Sequence, residues 1–251
     1  MDELIEALKR FTPISLDQMD KVQLLDRIDT KYILNQAKLS ELLGKIADSY
    51  YVLNIEGELL HPYETLYFDT PDYNLYRMHH NGHQNRYKLR FRKYVNSGIS
   101  FFEVKLKTNT HRTVKKRVSV SNIEESLSAN QQQFVHDCTN DDFDQYLPAL
   151  RVNFNRITLV NLNVGERLTI DTNLHYGDEN GEKNIHNIAI VEVKQQKHSV
   201  SPFRQLMREN RLHEFYLSKY CLGITCLHEG LKKNRFKRKL MALNKLGYDV
   251  S

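Results

Sequence analysis

Basic side chains recur at every second position in three neighbouring segments of the sequence. The segments are 86–94, 101–107 and 113–120. In the first of them, four cations alternate with apolar or aromatic residues: Arg86, Lys88, Arg90 and Arg92. A period of two predicts β-strands, with the cations of each strand on one face. Such a face suits an anionic ligand, because like charges side by side on a sheet otherwise destabilise it by roughly 0.2–1 kcal/mol per pair.

The alternative is an ordinary solvated sheet face, which most alternating antiparallel strands have. A solvated face usually mixes the two signs of charge, whereas the face predicted for these segments is almost wholly positive. We therefore favour a bound anion over a face that only contacts water.

Further strands are predicted on both sides of these three. They are 26–34, 63–69, 150–158, 166–171 and 188–194. A β-bulge is expected in the third of them, because Arg156 is out of phase with the other polar residues. Helices are predicted over 121–134 and from Ser201-Pro202 onwards.

The tripeptide Glu-Val-Lys occurs in two of the strands, at 103–105 and at 192–194. This repetition suggests two sheet halves that face each other across a lumen. The predicted fold class is therefore α+β, with a closed antiparallel β-barrel and flanking helices.

Closure of this kind places the cations of successive strands in a shared lumen. The lumenal cations would be Arg27, Lys31, Lys88, Arg90, Arg92, Lys105, Lys115, Arg117, Arg156, Arg167 and Lys194. Burying so many unpaired cations would cost several kcal/mol each, so a phosphate-rich ligand is expected among them. One arginine side chain can bind two phosphate oxygens at once, whereas a lysine side chain supplies a point charge.

Few acidic residues share the lumen with these cations. They are Asp29, Glu103, Asp171 and Glu192. Glu192 and Glu103 could hold Mg²⁺ or Mn²⁺ that bridges ligand phosphates. The chemistry indicated is phosphoryl transfer, in which a protein mainly positions the reactants and neutralises their charge. No P-loop pattern occurs, so an ordinary nucleotide-binding α/β fold is not supported.

The composition of the whole chain narrows the class of protein further. The 251 residues carry a net charge of +5, and no apolar run approaches the ~20 residues that span a bilayer. Residues 1–6 lack an apolar signal region, and the three cysteines match no zinc-ligand spacing. These features predict a cytoplasmic protein. Residues 229–251 form a basic tail that could contact an anionic membrane face or a polyanion, although a solvated terminal helix explains it more simply.

Several short motifs, taken in their order, resemble those of a known family. They are Arg27-Ile-Asp-Thr-Lys31, Tyr67-Phe-Asp-Thr-Pro-Asp-Tyr73, Arg90-Phe-Arg92, Phe102-Glu-Val-Lys105, Asn155-Arg156, Arg167…Asp171, Val191-Glu-Val-Lys194 and Ser218-Lys219-Tyr220. From about residue 10 to residue 228 the chain resembles the VTC domain, the polyphosphate polymerase domain of the vacuolar transporter chaperone complex. That domain lies within the triphosphate tunnel metalloenzymes, a CYTH-like superfamily.

The resemblance implies a triphosphate tunnel, an antiparallel barrel that binds triphosphate or polyphosphate. In such a domain the terminal phosphoryl group of a nucleoside triphosphate is transferred to a growing polyphosphate chain, with Mn²⁺ or Mg²⁺. The residues implied to grip phosphates are Lys31, Arg90, Arg92, Lys105, Lys115, Arg156 and Arg167, with Lys219 reaching them from a closing helix. Glu192 would hold the metal ion. The implied division is a VTC-like domain over 1–228 and the tail over 229–251.

Three other functions stay open at this point. The same tunnel could belong to a triphosphate or polyphosphate hydrolase, although Arg27-x-Asp29-x-Lys31 replaces the Glu-x-Glu-x-Lys of the hydrolase branch. It could also belong to a polyphosphate-binding module without catalysis. A nucleic-acid binder is disfavoured, because the aromatic residues of the three central strands are expected opposite the cations, where they cannot stack on bases.

Overall fold

A single curled sheet, mostly antiparallel, dominates the fold. The computed structural model describes residues 2–19, 27–110, 112–141, 145–216 and 218–247. The strands are β1 (Thr12–Ile14), β2 (Arg27–Asn35), β3 (Tyr51–Leu53), β4 (His61–Asp69), β5 (Arg86–Tyr94), β6 (Ser100–Lys107), β7 (Thr113–Val120), β8 (Leu147–Asn161), β9 (Glu166–Asp178), β10 (Gly181–Ile185) and β11 (Ile188–Gln196). The main path is β2-β11-β9-β8-β4-β5-β6-β7, to which the three short strands β1, β3 and β10 are attached.

The two ends of this path, β2 and β7, are not paired with each other in the described part of the chain. The outer edge of β2 is contacted by the segment that precedes the last helices, because the Phe215 N–H donates to the Lys31 carbonyl oxygen over 2.7 Å. The sheet therefore forms a strongly curled half-barrel. The α+β class is confirmed, and the closed barrel expected from the sequence is not shown.

Helices cover the outer face of the sheet and part of its inner face. They are α1 (Asp2–Leu8), α2 (Leu16–Met19), α3 (Gln36–Gly44), α4 (Asn74–Asn81), α5 (Ala129–Thr139), α6 (Pro202–Glu209), α7 (Lys219–Leu227) and α8 (Lys237–Lys245). On the outer face, α5 packs on β5 and β6, while α1, α3 and α6 pack on β2, β9 and β11. On the inner, concave face, α7 packs against apolar residues of β4, β8, β9 and β11.

The predicted alternation of the central strands is confirmed by burial. Tyr87, Leu89 and Phe91 are at most 1% exposed and belong to the core under α5. The cations between them point to the concave face, where Lys88 and Arg86 line a cavity. One strand thus contributes to the core with one face and to a charged surface with the other.

Two local predictions are also confirmed, and one is wrong. The register of β8 shifts between Asn153 and Asn155, which is the expected bulge, and the Ser201 hydroxyl caps α6 by accepting from Arg204 N–H. The helix predicted over 121–134 begins only at Ala129. Ser128 and Gln131 form a reciprocal capping box there, which satisfies the first backbone N–H groups better than a start at Ser121 would.

The basic tail packs onto the rest of the molecule. Phe236, Leu240 and Leu243 are buried in the same apolar cluster as Tyr220 of α7 and Tyr67 of β4. None of the helices in the described residues is both long and apolar enough to span a bilayer.

Candidate functional site

Glu192 lies on the concave face between two lysines. Lys31 of β2 donates to its Oε1, and Lys194 donates to its Oε2 over 2.7 Å. The register explains both contacts, since Lys31 stands opposite Glu192 and Lys194 follows two residues later on the same face. Burial would raise the pKa of Glu192, but Lys194, Lys31 and Lys105 hold it well below its usual range. The carboxylate is therefore ionised.

Asp171 is shared by an arginine and a lysine. Arg156 donates to Oδ1 over 2.6 Å and to Oδ2 over 2.8 Å, and Lys219 also donates to Oδ2. Burial would raise the pKa of Asp171, and these two cations lower it below its usual range. Lys219 reaches this carboxylate because α7 approaches the sheet closely at Gly223, where a Cβ would lie 2.5 Å from a Leu150 side-chain carbon.

Glu103 is the third carboxylate with two cationic partners. Arg90 approaches its Oε2 with Nε at 2.8 Å and Nη2 at 2.7 Å, and Lys115 pairs with its Oε1. The side chain of Glu103 is 0% exposed. Burial would raise the pKa of Glu103, but Arg90, Arg92 and Lys115 lower it to about 2. Each of the three sites holds one negative and two positive charges, so the concave face keeps a positive excess.

Three of the predicted cations on this face make no ion pair with any described residue: Lys88, Arg92 and Lys105. Arg92 is only 7% exposed, its Nε has no hydrogen-bond partner, and its guanidinium lies 5.6 Å from the Tyr63 ring centre. Burial lowers the pKa of Lys105 to about 7, with Arg90 and Lys88 adding to the effect against the attraction of Glu192. These groups are cations that have been desolvated without a carboxylate to compensate them.

A cavity of about 310 Å³ opens on this face, and Lys31 connects it to the Glu192 site. Its cationic lining consists of Lys31, Arg86, Lys88, Lys105, Lys107 and Lys239, and its other lining residues are His79, Thr113, Tyr216, Ser218, Cys221 and Phe236. No carboxylate belongs to this lining among the described residues. The cavity is therefore suited to a multiply charged anion.

Three other predicted residues do not line the cavity. Arg27 pairs with Asp29 over 3.0 Å, and its side chain is 46% exposed. Arg117 is exposed, with its guanidinium 4.2 Å from the Phe101 ring centre. Arg167 stands opposite Lys194 in the sheet and donates to the Met19 carbonyl oxygen over 3.4 Å. The structure thus places eleven predicted residues on or around the three carboxylate sites and the cavity, and it places these three elsewhere on the sheet.

The family model of the VTC domain matches residues 26–228. The chain belongs to the VTC domain family. The match contains every residue predicted for the site, from Arg27 to Lys219. No curated protein sequence matches the chain significantly.

Two solved structures share the fold of this VTC domain. A putative adenylate cyclase from Bacillus halodurans superposes with a TM-score of 0.53 at 13% identity, covering 77% of this chain and 94% of that one. A putative adenylyl cyclase from Hippeastrum, HpAC1, superposes with a TM-score of 0.50 at 16% identity, covering 82% and 99%. Identities this low show likeness of fold alone.

The expectation about aromatic residues in the VTC domain needs a correction. Tyr94 and Phe101 share the face of the cations, because they have the same parity as Arg92 and Glu103 on their strands. Tyr63 and Phe154 join them from β4 and β8. These rings stack on one another and on guanidinium groups, so their faces are already engaged by protein.

Sequence reasoning did not assign three basic residues of the cavity: Arg86, Lys107 and Lys239. The first two continue the period-two pattern of β5 and β6, and that pattern was sufficient to find them. Lys239 carries no such signal, because it reaches the cavity from the helix α8 of the tail.

Proposed function

We propose that this VTC domain is a metal-dependent polyphosphate polymerase that transfers the terminal phosphoryl group of a nucleoside triphosphate to a polyphosphate chain. The supporting observations are the cavity lined by six cations without a carboxylate among the described residues and, further along β5, the buried Arg92, whose Nε has no hydrogen-bond partner. A chain of phosphates would supply the negative charge that these groups lack. The VTC family membership supports the same substrate class.

The concave face suits transfer between two phosphate groups. A terminal oxygen of the polyphosphate forms a bond to the γ-phosphorus, the bond from that phosphorus to the β–γ bridging oxygen breaks, and the nucleoside diphosphate leaves with the electron pair. Both reactants are anions, so the main barrier that protein groups can lower is charge repulsion. Arg92, Lys88 and Lys105 are positioned to do this, and no general base is needed because the attacking oxygen is already ionised.

Of the two predicted metal ligands, Glu192 is better suited than Glu103 to bind Mn²⁺ or Mg²⁺. Glu192 is ionised and 17% exposed, and Mg²⁺ often uses one carboxylate together with substrate phosphates. Both oxygens of each carboxylate contact cations, but Glu103 is fully buried, so only Glu192 has surface that an added ion can reach. We propose that Glu192 holds Mn²⁺ or Mg²⁺ jointly with the ligand, whereas Glu103 holds its two cations in place. When bound, the ion would neutralise charge on the phosphates.

A bound ligand would supply the enclosure that the predicted closed tunnel requires. Lys31 of β2 and Lys105 of β6 belong to distant parts of the sheet path, yet they line the same cavity. A phosphate chain bound by both lysines would bridge the two sheet halves. We infer that the ligand, rather than strand pairing between β2 and β7, completes the enclosure.

Hydrolysis of triphosphate is the second candidate, because the same cationic face would bind a triphosphate and neutralise its charge during transfer to water. The Hippeastrum structure that shares this fold is described as having a dominant triphosphatase activity.

Incubation of the purified chain with ATP and Mn²⁺ tests the proposal. We expect polyphosphate to form together with ADP, and we expect Arg92→Met to weaken substrate binding by about tenfold or more. Lys93→Met is the matched control, since Lys93 is the next residue on β5 and points to the other face, where it contacts Asn122. The control should behave like the unchanged protein.

The product distinguishes the candidate functions. Orthophosphate released without chain growth would select the hydrolase. Tight polyphosphate binding without turnover, with Mn²⁺ and with Mg²⁺, would select a binding module. Equal losses in Arg92→Met and Lys93→Met would contradict the assigned role of the concave face.

A further inference from the structure

One wall of the cationic cavity comes from outside the segment that matches the VTC family. Phe236 and Lys239 line the cavity together with Lys31 and Lys105, whereas the family match ends at residue 228. The family assignment therefore gives no role to these two tail residues.

The tail is fixed against the rest of the molecule by polar contacts as well as by its buried apolar residues. The Tyr76 hydroxyl donates to the Lys232 carbonyl oxygen over 2.9 Å, and the Arg235 N–H donates to the His80 ring over 3.3 Å. The Phe236 ring packs edge-on against His80, with ring centres 5.2 Å apart. Lys239 is thus held at the cavity by a packed segment.

Lys239 differs from its neighbours on α8. Lys237 and Arg238 are exposed, while Lys239 is half-buried and reaches the cavity. Its ammonium group donates to the Tyr216 carbonyl oxygen and forms no ion pair with any described residue. Burial lowers the pKa of Lys239. The ammonium group also lies 5.8 Å from the Phe236 ring centre. A partly desolvated cation whose neighbours are a neutral carbonyl and an aromatic ring gains from an anionic partner.

The positions of the other cavity cations indicate how an anionic partner would extend across the cavity. Lys31 belongs both to the cavity and to the Glu192 site, so the two are continuous. Arg86 and Lys107 lie opposite each other at the ends of β5 and β6, and Thr113 continues this row at the start of β7. Basic groups therefore extend from the Glu192 site to the strand ends and to the tail.

We propose that Lys239 and the outer cavity bind the distal phosphates of a polyphosphate chain longer than triphosphate. This inference rests on the proposed function, and it assigns the tail a part in selecting chain length. Arg92, Lys88 and Lys105 bind the phosphates that react. Lys239 binds only phosphates further along the chain, which a triphosphate does not possess.

Calorimetric titration of the full chain with tripolyphosphate and with long-chain polyphosphate tests the inference. Lys239→Met should weaken long-chain binding by about tenfold while changing tripolyphosphate binding by less than about twofold. Lys237→Met, on the same helix, should change neither affinity. Lys239→Arg should restore long-chain binding, and the melting temperature of each variant shows whether it is folded.

Each other outcome overturns the inference. An equal loss of affinity for the two ligands would show that Lys239 acts through general charge attraction or through folding. No loss of affinity would show that Lys239 is not part of the binding site. Stronger binding by Lys239→Met would show that the tail obstructs the cavity. If the unchanged protein binds neither ligand, the proposed function itself fails; if it binds both and Lys239→Met behaves identically, only the role of Lys239 fails.

Discussion

The same tripeptide, Glu-Val-Lys, stands on two strands of the curled sheet and has different partners on each. On β11, Lys194 donates to Glu192 within its own tripeptide, and Lys31 completes the set. On β6, Glu103 is bound by Arg90 and Lys115 from the two neighbouring strands, and Lys105 pairs with no described carboxylate. Identical local sequence therefore gives a lysine with a partner on one strand and a lysine without one on the other.

The difference comes from the neighbouring strands. In the sheet register, Glu192 stands opposite Lys31 and Thr169, so its own Lys194 is available as the second partner. Glu103 stands between Arg90 and Arg117, and Lys105 stands between Lys88 and Lys115. Lys105 therefore has lysines on both neighbouring strands, and the acid two residues before it, Glu103, is already bound by Arg90 and Lys115. The β5–β6–β7 part of the sheet thus holds cations without a carboxylate, Lys88, Arg92 and Lys105, beside the paired Glu103 set, whereas on β2 and β11 both Lys31 and Lys194 are paired with Glu192.

Glu103→Gln should produce the largest change. Glutamine keeps the shape of the side chain and removes its charge, so Arg90 and Lys115 lose their shared carboxylate in a buried site. We expect the free energy of unfolding to fall by about 3–5 kcal/mol in urea denaturation. Glu192→Gln should cost less, because its side chain is 17% exposed and water reaches its lysines. A greater loss for Glu192→Gln would break the comparison between the two strands.

The two lysines should respond to methionine substitution with opposite signs in stability. Lys105→Met removes an uncompensated cation, so the free energy of unfolding should rise by about 1 kcal/mol, while tripolyphosphate affinity falls about tenfold. Lys194→Met deprives Glu192 of one partner, so the free energy of unfolding should fall by about 1–2 kcal/mol. Denaturation and calorimetry on both variants measure the two effects. The same sign of stability change in both would show that Lys105 has a partner after all.

Binding should depend on pH through Lys105. Its pKa in the folded protein is about 7, and a bound phosphate raises that pKa, so binding takes up a proton. The dissociation constant for tripolyphosphate should therefore increase as the pH rises above 7, and Lys105→Met should flatten this dependence. In the absence of ligand, the unfolded chain holds more protons between about pH 7 and pH 10, so the free energy of unfolding rises with pH in that range. Calorimetric titration at a series of pH values, with the unchanged protein and with Lys105→Met, measures this dependence. An equally steep dependence in both proteins would contradict the role of Lys105.

Arg27→Ala should have the smallest effect. The Arg27–Asp29 pair lies at the exposed start of β2, and exposed ion pairs contribute about 0–1 kcal/mol. We expect tripolyphosphate affinity to change by less than about threefold. A loss as large as that of Lys105→Met would extend the unpaired, ligand-binding region to the edge of β2.

Much of the charged face could be predicted from sequence, because period-two alternation assigns each strand residue to a face. The alternation of β5, β6 and β7 placed Arg90, Lys105 and Lys115 together correctly. Which cation pairs with which carboxylate could not be predicted, since it depends on register between strands distant in sequence, as for Arg156 and Asp171. Nor could the contact of Phe215 with the outer edge of β2 be predicted, since it joins distant segments and no local pattern reports it.

The start of α5 and the position of Lys239 show two other limits. Ser121 and Ser128 are both acceptable N-caps in isolation, and only the reciprocal bond with Gln131 distinguishes them. The sequence pattern of the tail is that of a basic amphipathic helix, and this pattern is the same whether the helix is solvated or docked. Its docking depends on Tyr76 and His80, more than a hundred residues earlier in the chain.

The outer strand β7 has a consequence for contacts between molecules. It ends the sheet path, and its residues from Thr113 to Arg117 are all exposed. An uncovered strand of this kind can recruit the corresponding strand of a second copy, and rows of lysine and arginine oppose that by mutual repulsion. Lys115, Lys116 and Arg117 form such a row. A polyanion that screens the row would weaken this protection against self-association.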